Sequence, residues 1–541
     1  MDFHFEVFRR EPFPEEITAA NAKIREQELA IKTADQEIQA LMAQITLVRV
    51  TQSRYRETIA RCKAVTTLAR RLPEELLAKI FESCVVDGWT RAPVVVSHVC
   101  SRWRRAAMSP RVWSYIYVDG DSTDAVGRTR LWLSRAKEAP LHPTFIMTWR
   151  SARSHLWQNM ELIAQRASQW ETITMNSETV SQAWELINQC RLPMANLREI
   201  KAALEVQFHP VLDGEPELMD MARIFTIERA PQLHTVHLAC NTLPLQLTLP
   251  PHLRSLVLTL TGSPNQRLSS ASAFLDILES VPALEQLTIS LPSLASQPYL
   301  AETDMDRSVV LQSLASLTLH GPTDLSGFLE HIHSPNLRQL RIRSNEEANL
   351  QQDPLAPTLF AFLKGSEAAL ELLELHDVDI SHEFFPAYLA MLPSLRELRL
   401  HDSIITDTTL QCLDELCPLL TRIDLRWCGM VTGKALVNFV HRRNLKMNNV
   451  WHDEFMSIPG SFENEREPSL IEEVSVLNCS LVREEDVLEL GRMTLCRVKV
   501  RDDDYCHTQG CCNNGRYRQR LRLRNMDAFM NQDGPRLRLI V

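Results

Sequence analysis

Four residues of metal-ligating type crowd one short stretch near the C-terminus: Cys506, His507, Cys511 and Cys512. Structural zinc wants two separated ligand pairs that close a tetrahedron. These four lie too close together for a standard spacing, though Cys496 could contribute a ligand, and the stretch is read first as a reduced, Cys-rich loop. Asp502, Asp503 and Asp504 beside it are read as a solvated turn. Gly429 to Lys434 (GMVTGK) has the outline of a phosphate loop. Such a loop needs four residues between its glycines and a Ser or Thr after its Lys. Here only Met430, Val431 and Thr432 stand between, and Ala435 follows. No HExxH, GxSxG or dinucleotide fingerprint is present. No catalytic residue, metal or cofactor is therefore expected, and the chain is not read as an enzyme.

The chemistry left is that of surfaces, and a recurrent pattern positions it. The pattern is Leu-x-x-Leu-x-Leu with substitutions. Early copies are Trp113-Ile116-Val118 and Trp170-Ile173-Met175. Clearer ones are Leu233-Val236-Leu238, Leu253-Leu256-Leu258, Leu284-Leu287-Ile289, Leu314-Leu317-Leu319 and Leu337-Leu340-Ile342. Then come Leu370-Leu373-Leu375, Leu395-Leu398-Leu400 and Leu420-Ile423-Leu425, with Ile471-Val474-Val476 and Leu495-Val498-Val500 after a break. From Leu370 to Leu420 the spacing is about 25 residues, the period of a leucine-rich repeat. Helical stretches such as Ala271–Glu279 and Thr408–Leu416 lie between copies, and Pro282, Pro393 and Pro418 stop the chain before the next strand. Such a unit cannot bury its own apolar face, so the units must stack. Asp424 to Cys428, then Val431-Thr432, resembles the cysteine-containing subtype of leucine-rich repeat.

If these strands are neighbours, the positions between the last two apolar residues form one row: Arg341, Glu374, Arg399 and Asp424, of alternating sign. The next row is His320, Arg343, His376, His401 and Arg426, with Arg501 further along, and it holds no acid. Two readings stay open for it, a plain solvated face or a receptor for an acidic or phosphorylated segment. Arg pairs bidentately with carboxylate or phosphate, and an exposed His gains charge as pH falls through about 6.5.

Upstream, Leu72 to Val118 reads as short helices. Pro73 starts the first, where its missing N–H is no loss, and Leu76, Leu77, Ile80 and Phe81 share a face. Pro93 starts the second, with Val96, Val99, Cys100, Trp103 and Ala107 as its stripe; Ser109-Pro110 starts a short third. Leu72-Pro73, Glu75-Leu76-Leu77, Ile80-Phe81, Val99-Cys100, Trp103, Ala107 and Trp113 together resemble an F-box. The resemblance implies docking onto the Skp-type linker of a cullin-RING ubiquitin ligase. Leu72, Pro73, Leu76, Ile80 and Val96 are the candidate contacts, and Trp103 belongs to the internal core. The repeats would then hold a substrate protein, or serve a non-degradative scaffold.

Before the F-box, residues 15–70 contain no Gly and no Pro. Ile17, Ile24, Ile31, Ile38, Ile45 and Ile59 recur at heptad spacing, with Gln52 in the gap. The alternate seam positions are Ala20, Gln27, Ala34, Leu41, Val48, Tyr55 and Cys62. This predicts a long helix with coiled-coil character, its seam covered by a second copy, by its own protein or by another helix.

The fold class expected is an α+β or α/β solenoid in three parts. These are a long N-terminal helix (15–70), a three-helix F-box (71–118) and an irregular leucine-rich-repeat solenoid with parallel strands (119–541). Polar residues 446–468 are read as an inserted loop. Residues 516–541, where Arg516, Arg518, Arg520, Arg522 and Arg524 alternate with other residues, are read as capping strands. The net charge of -10 argues against general nucleic-acid binding. No apolar run reaches bilayer length and the first residues lack a signal-peptide pattern, so a cytoplasmic or nuclear protein with reduced cysteines is expected.

Overall fold

The computed structural model describes residues 11–66, 71–119, 125–148, 153–177, 192–204, 228–240, 249–260, 271–291, 307–321, 328–344, 355–376, 378, 384–401, 403, 405–454 and 469–498. The chain divides into two compact units, Met1–Cys84 with Val94–Ala107, and Val85–Pro93 with Met108–Val541.

Helix α1 runs unbroken over Pro14–Thr66. Glu15 and Glu16 sit in its first turn and Lys63 in its last, matching the helix dipole. Glu16 Oε2 accepts from the Phe13 N–H at 2.9 Å, capping an otherwise unsatisfied donor. Every residue from Asn21 to Lys63 is exposed, the isoleucine seam included. Within the first unit, no described residue buries the seam.

Helices α2 (Glu74–Val86), α3 (Ala92–Ser97) and α4 (Ser101–Ala106) follow, then a 3-10 turn at Pro110–Trp113. The helix expected from Pro93 through Ala107 is thus two. His98–Cys100 interrupt it, and Cys100 caps α4, its Sγ accepting from the Trp103 N–H at 3.5 Å.

The second unit holds a parallel sheet of 14 strands. Its first seven are β1 (Tyr115–Asp119), β2 (His142–Met147), β3 (Thr172–Ser177), β4 (Glu199–Leu204), β5 (Thr235–Cys240), β6 (Ser255–Leu260) and β7 (Gln286–Ser290). A short pair, β8 (Val309–Val310) and β10 (Ile332–His333), stands apart. The sheet continues with β9 (Ser316–Gly321), β11 (Gln339–Ser344), β12 (Leu372–His376), β13 (Glu397–His401), β14 (Arg422–Arg426), β15 (Glu473–Leu477) and β16 (Leu495–Arg497). Order in the sheet follows order in the chain, as in a solenoid.

Register explains why the apolar pattern works. Leu340, Leu373, Leu398, Ile423 and Val474 are successive partners, and all are buried. The first apolar residue of each unit closes a turn. The Leu284, Leu395 and Leu420 N–H groups donate to the carbonyls of Val281, Leu392 and Cys417 at 3.1–3.2 Å. Helices Ala271–Ser280 and Asp407–Leu416 fall where expected.

Three expectations are corrected. β2 and β4 belong to the sheet although neither was foreseen. Cys496, not Val498, lies opposite Val474, so the last copy is shifted by a pleat. Residues 446–454 are not loop, because the helix beginning at Gly433 continues to Glu454. No Gly or Pro interrupts the chain between Gly433 and Pro459. Residues 455–468, Arg501, the cysteine-rich stretch and the segment 516–541 lie outside the described residues. Among the described residues no helix is long and apolar enough to cross a membrane.

Candidate functional site

In the first unit, Leu77 and Phe81 recur one turn apart on α2 and are both buried. The Phe81 and Trp103 rings meet at 5.1 Å and 55°, so Trp103, half-buried, does join the internal core. Arg105 Nε and Nη2 donate to Glu74 Oε1 at 2.9 and 2.7 Å, tying α4 to the first turn of α2. The Arg102 guanidinium donates to the Leu72 carbonyl, fixing the chain just before α2.

That core leaves an apolar set outside. Leu76 and Ile80, one helical turn apart, are 45% and 46% exposed. Pro73 is exposed and Leu72 half-buried. Val96 departs from expectation: it is 3% exposed and belongs to the core, while Val95 and Val99 on either side are exposed. Helix α3 ends at Ser97, so a stripe drawn through Val96 and Val99 on one helix does not exist. Leu76 and Ile80 add nothing to the internal core of this unit.

In the second unit, the sheet brings the sequence-predicted row together. His320 pairs in register with Arg343, Arg343 with His376, His376 with His401, and His401 with Arg426. The alternating row is also as expected, with Arg341, Glu374, Arg399 and Asp424 as successive partners. Glu374 pairs with Arg343, and lies 3.6 Å from both Arg341 and Arg399. Arg426 makes a bidentate pair with Asp424, at 3.0 and 2.7 Å.

Exposure is where the row fails as a receptor. Arg343, His376, His401 and Arg426 are all buried, and so is Glu374 at 0%. The acidic partners that Arg343 and Arg426 would seek in a substrate are already present in the neighbouring row. Two of the histidines, His320 and His401, also resist charging near neutrality. Burial, then the charges of Arg343 and His376, push His320 down to about 4. Burial first, and then His376 and the surrounding arginines, hold His401 well below its ordinary range. The His376 and His401 rings stack edge-on at 5.0 Å. Charge gain by His320 and His401 near pH 6 is therefore disfavoured, and the row is a polar interior.

The turns after the strands carry a feature only half seen in the sequence. Cys428 Sγ donates to the Leu400 carbonyl at 3.3 Å, and Cys479 Sγ to the Leu425 carbonyl at 3.6 Å. Each follows a residue in the left-handed region, Trp427 at φ 61° and Asn478 at φ 56°. The two thiols thus repeat one role, and Asn478-Cys479-Ser480 is a repeat turn. Asp486 explains Gly433 in the former phosphate-loop outline: a Cβ there would meet its Oδ2 at 2.0 Å. Among the described residues no cluster of metal-ligand side chains occurs.

The F-box-like family model matches residues 69–119. The chain therefore carries an F-box-like domain, a module of the kind that docks Skp-type linker proteins, ahead of a large parallel sheet. No curated protein matches the chain.

Proposed function

We propose that this protein is a substrate-recognition adaptor of a Skp–cullin–F-box ubiquitin ligase. The observation that carries the proposal is the F-box-like match at 69–119, on a domain whose Leu76 and Ile80 point out while Leu77 and Phe81 build its core. The repeating Leu-x-x-Leu-x-Leu strands, stacked in chain order, support a leucine-rich-repeat array as the substrate-holding part. The adaptor brings no catalytic group. It works by linking two binding modules, so that the substrate meets the ubiquitin-charged enzyme at high effective concentration. Such a role places the protein in the cytoplasm or nucleus.

The test is capture of the linker by the full chain. Leu76→Asp with Ile80→Asp should abolish co-purification. Burying each aliphatic side chain is worth about 1.5–3 kcal/mol, or at least about tenfold in affinity. Folding should be unchanged, because both residues are already exposed. Linker capture that survives this variant, and also survives removal of residues 72–118, rules the adaptor reading out.

A further inference from the structure

The exposed seam of α1 offers an apolar face for a partner helix. We propose that it pairs with α1 of a second copy of the same chain, in antiparallel orientation. Isolated helices draw little stability from propensity alone, so a long apolar seam open to water calls for a partner. The choice of partner rests on charge.

In the heptad frame the positions flanking the seam just after its second apolar column are Glu28, Asp35, Met42, Arg49, Arg56 and Lys63. All are exposed. They are acidic in the N-terminal half and basic in the C-terminal half. In an antiparallel pair such positions face each other across the dimer, and a two-fold axis beside Met42 sets acid against base. Glu28 then meets the partner's Arg56, and Asp35 the partner's Arg49. Each pair occurs twice by symmetry.

The seam agrees with that register. Leu41 lies level with the partner's Ile45, Ile38 with the partner's Val48, and Ile31 with the partner's Tyr55. Gln52 falls opposite the small Ala34, where its amide has room to reach solvent. Parallel pairing does the reverse. It stacks Ala34, Gln27 and Gln52 each on its own copy, and sets the acidic halves together and the basic halves together. Only Lys23 with Glu28 remains as an attractive flanking pair. A parallel two-stranded coil also prefers Leu throughout the second column, which here holds Leu only at position 41. Charges at flanking positions set partner and orientation more than they set affinity, and orientation is what is at issue.

The experiment uses two full-length variants and sedimentation. Glu28→Lys with Asp35→Lys makes every one of these flanking positions except Met42 basic. Arg49→Glu with Arg56→Glu makes nearly all of them acidic. Wild type should sediment as a dimer at micromolar concentration. Each variant alone should shift to monomer, its dissociation constant raised at least about tenfold by like-charge facing. An equimolar mixture should recover the dimer, which also shows that neither variant has lost its helix. A monomeric wild type overturns the proposal, and so do two variants that stay dimeric or a mixture that stays monomeric. If only the first variant loses the dimer, the pairing is parallel and the proposal is equally wrong.

Discussion

Helix α1 and strands β11–β14 both present rows of like-placed residues, and their environments are inverted. On α1 the isoleucines that the heptad brings to one side are open to water, Ile31 at 62%. On the strands, the charged residues that the pleat brings to one side are closed from water, His401 at 2%. Periodicity settles which residues share a face. It does not settle what covers the face. An apolar row left open is uncompensated within its own unit, which is why we propose a partner helix for it. A charged row shut inside needs opposite charge beside it, as Arg343 has in Glu374 and Arg426 in Asp424.

The largest expected effect comes from breaking that interior. Glu374→Ala leaves Arg343 buried without its carboxylate, a loss of about 3–5 kcal/mol. The measurement is the urea midpoint of the full chain. Replacing both partners with apolar residues, Glu374→Leu with Arg343→Met, should recover part of the loss, because no buried charge is then stranded. Should Glu374→Ala leave the midpoint unmoved, the strand row is solvated after all, and the contrast with α1 disappears.

Much of this arrangement was legible beforehand. The long helix, most of the strands and the alternating charge row follow from spacing alone. β2 escaped because Phe145 and Met147 follow Leu141 without an apolar residue at Thr144, where the pattern asks for one. β4 escaped because Ala202 holds the last place after Leu197 and Ile200, and Ala is a weak signal of a core. Val96 was misjudged because a break at His98–Cys100 rotates the stripe, and no Gly or Pro announces it. Cys479 escaped because its repeat follows a break in the pattern, although its setting repeats that of Cys428. Burial of Arg343 and Arg426 left no trace in the pattern, since charged residues in strands ordinarily face water.

A middle-sized effect tests the interior by pH. His320 sits on β9 with its Nδ1 3.2 Å from Ser290 Oγ, and burial holds it at about 4. Its folded value lies below the ordinary 6.5, so protonation favours the unfolded chain. This share of stability is fully present above about pH 6.5 and is lost as pH falls toward about 4, reaching about 3 kcal/mol. Carboxylates titrate in the same window, so the quantity to follow is the difference between wild type and His320→Gln in urea midpoint. The wild type should lose more on acidification. Parallel pH profiles for the two proteins would mean that His320 is hydrated and ionises freely.

The smallest effect uses the same chemistry on the open side of the comparison. Glu57 and Arg61 form a carboxylate–guanidinium pair on α1, with side chains 62% and 78% exposed. Water screens both charges, and holding two long side chains in register costs entropy. Ala is also the better helix former, which offsets what little the pair adds. Glu57→Ala should therefore leave the urea midpoint within error of wild type. Glu57 lies on the side of the helix away from the heptad seam, so sedimentation should be unchanged as well. Glu57→Ala and Glu374→Ala remove the same carboxylate from an arginine, and only the second should matter. If the two variants shift the midpoint alike, exposure does not set the worth of these pairs, and the division between an open helix and a closed sheet has no energetic meaning.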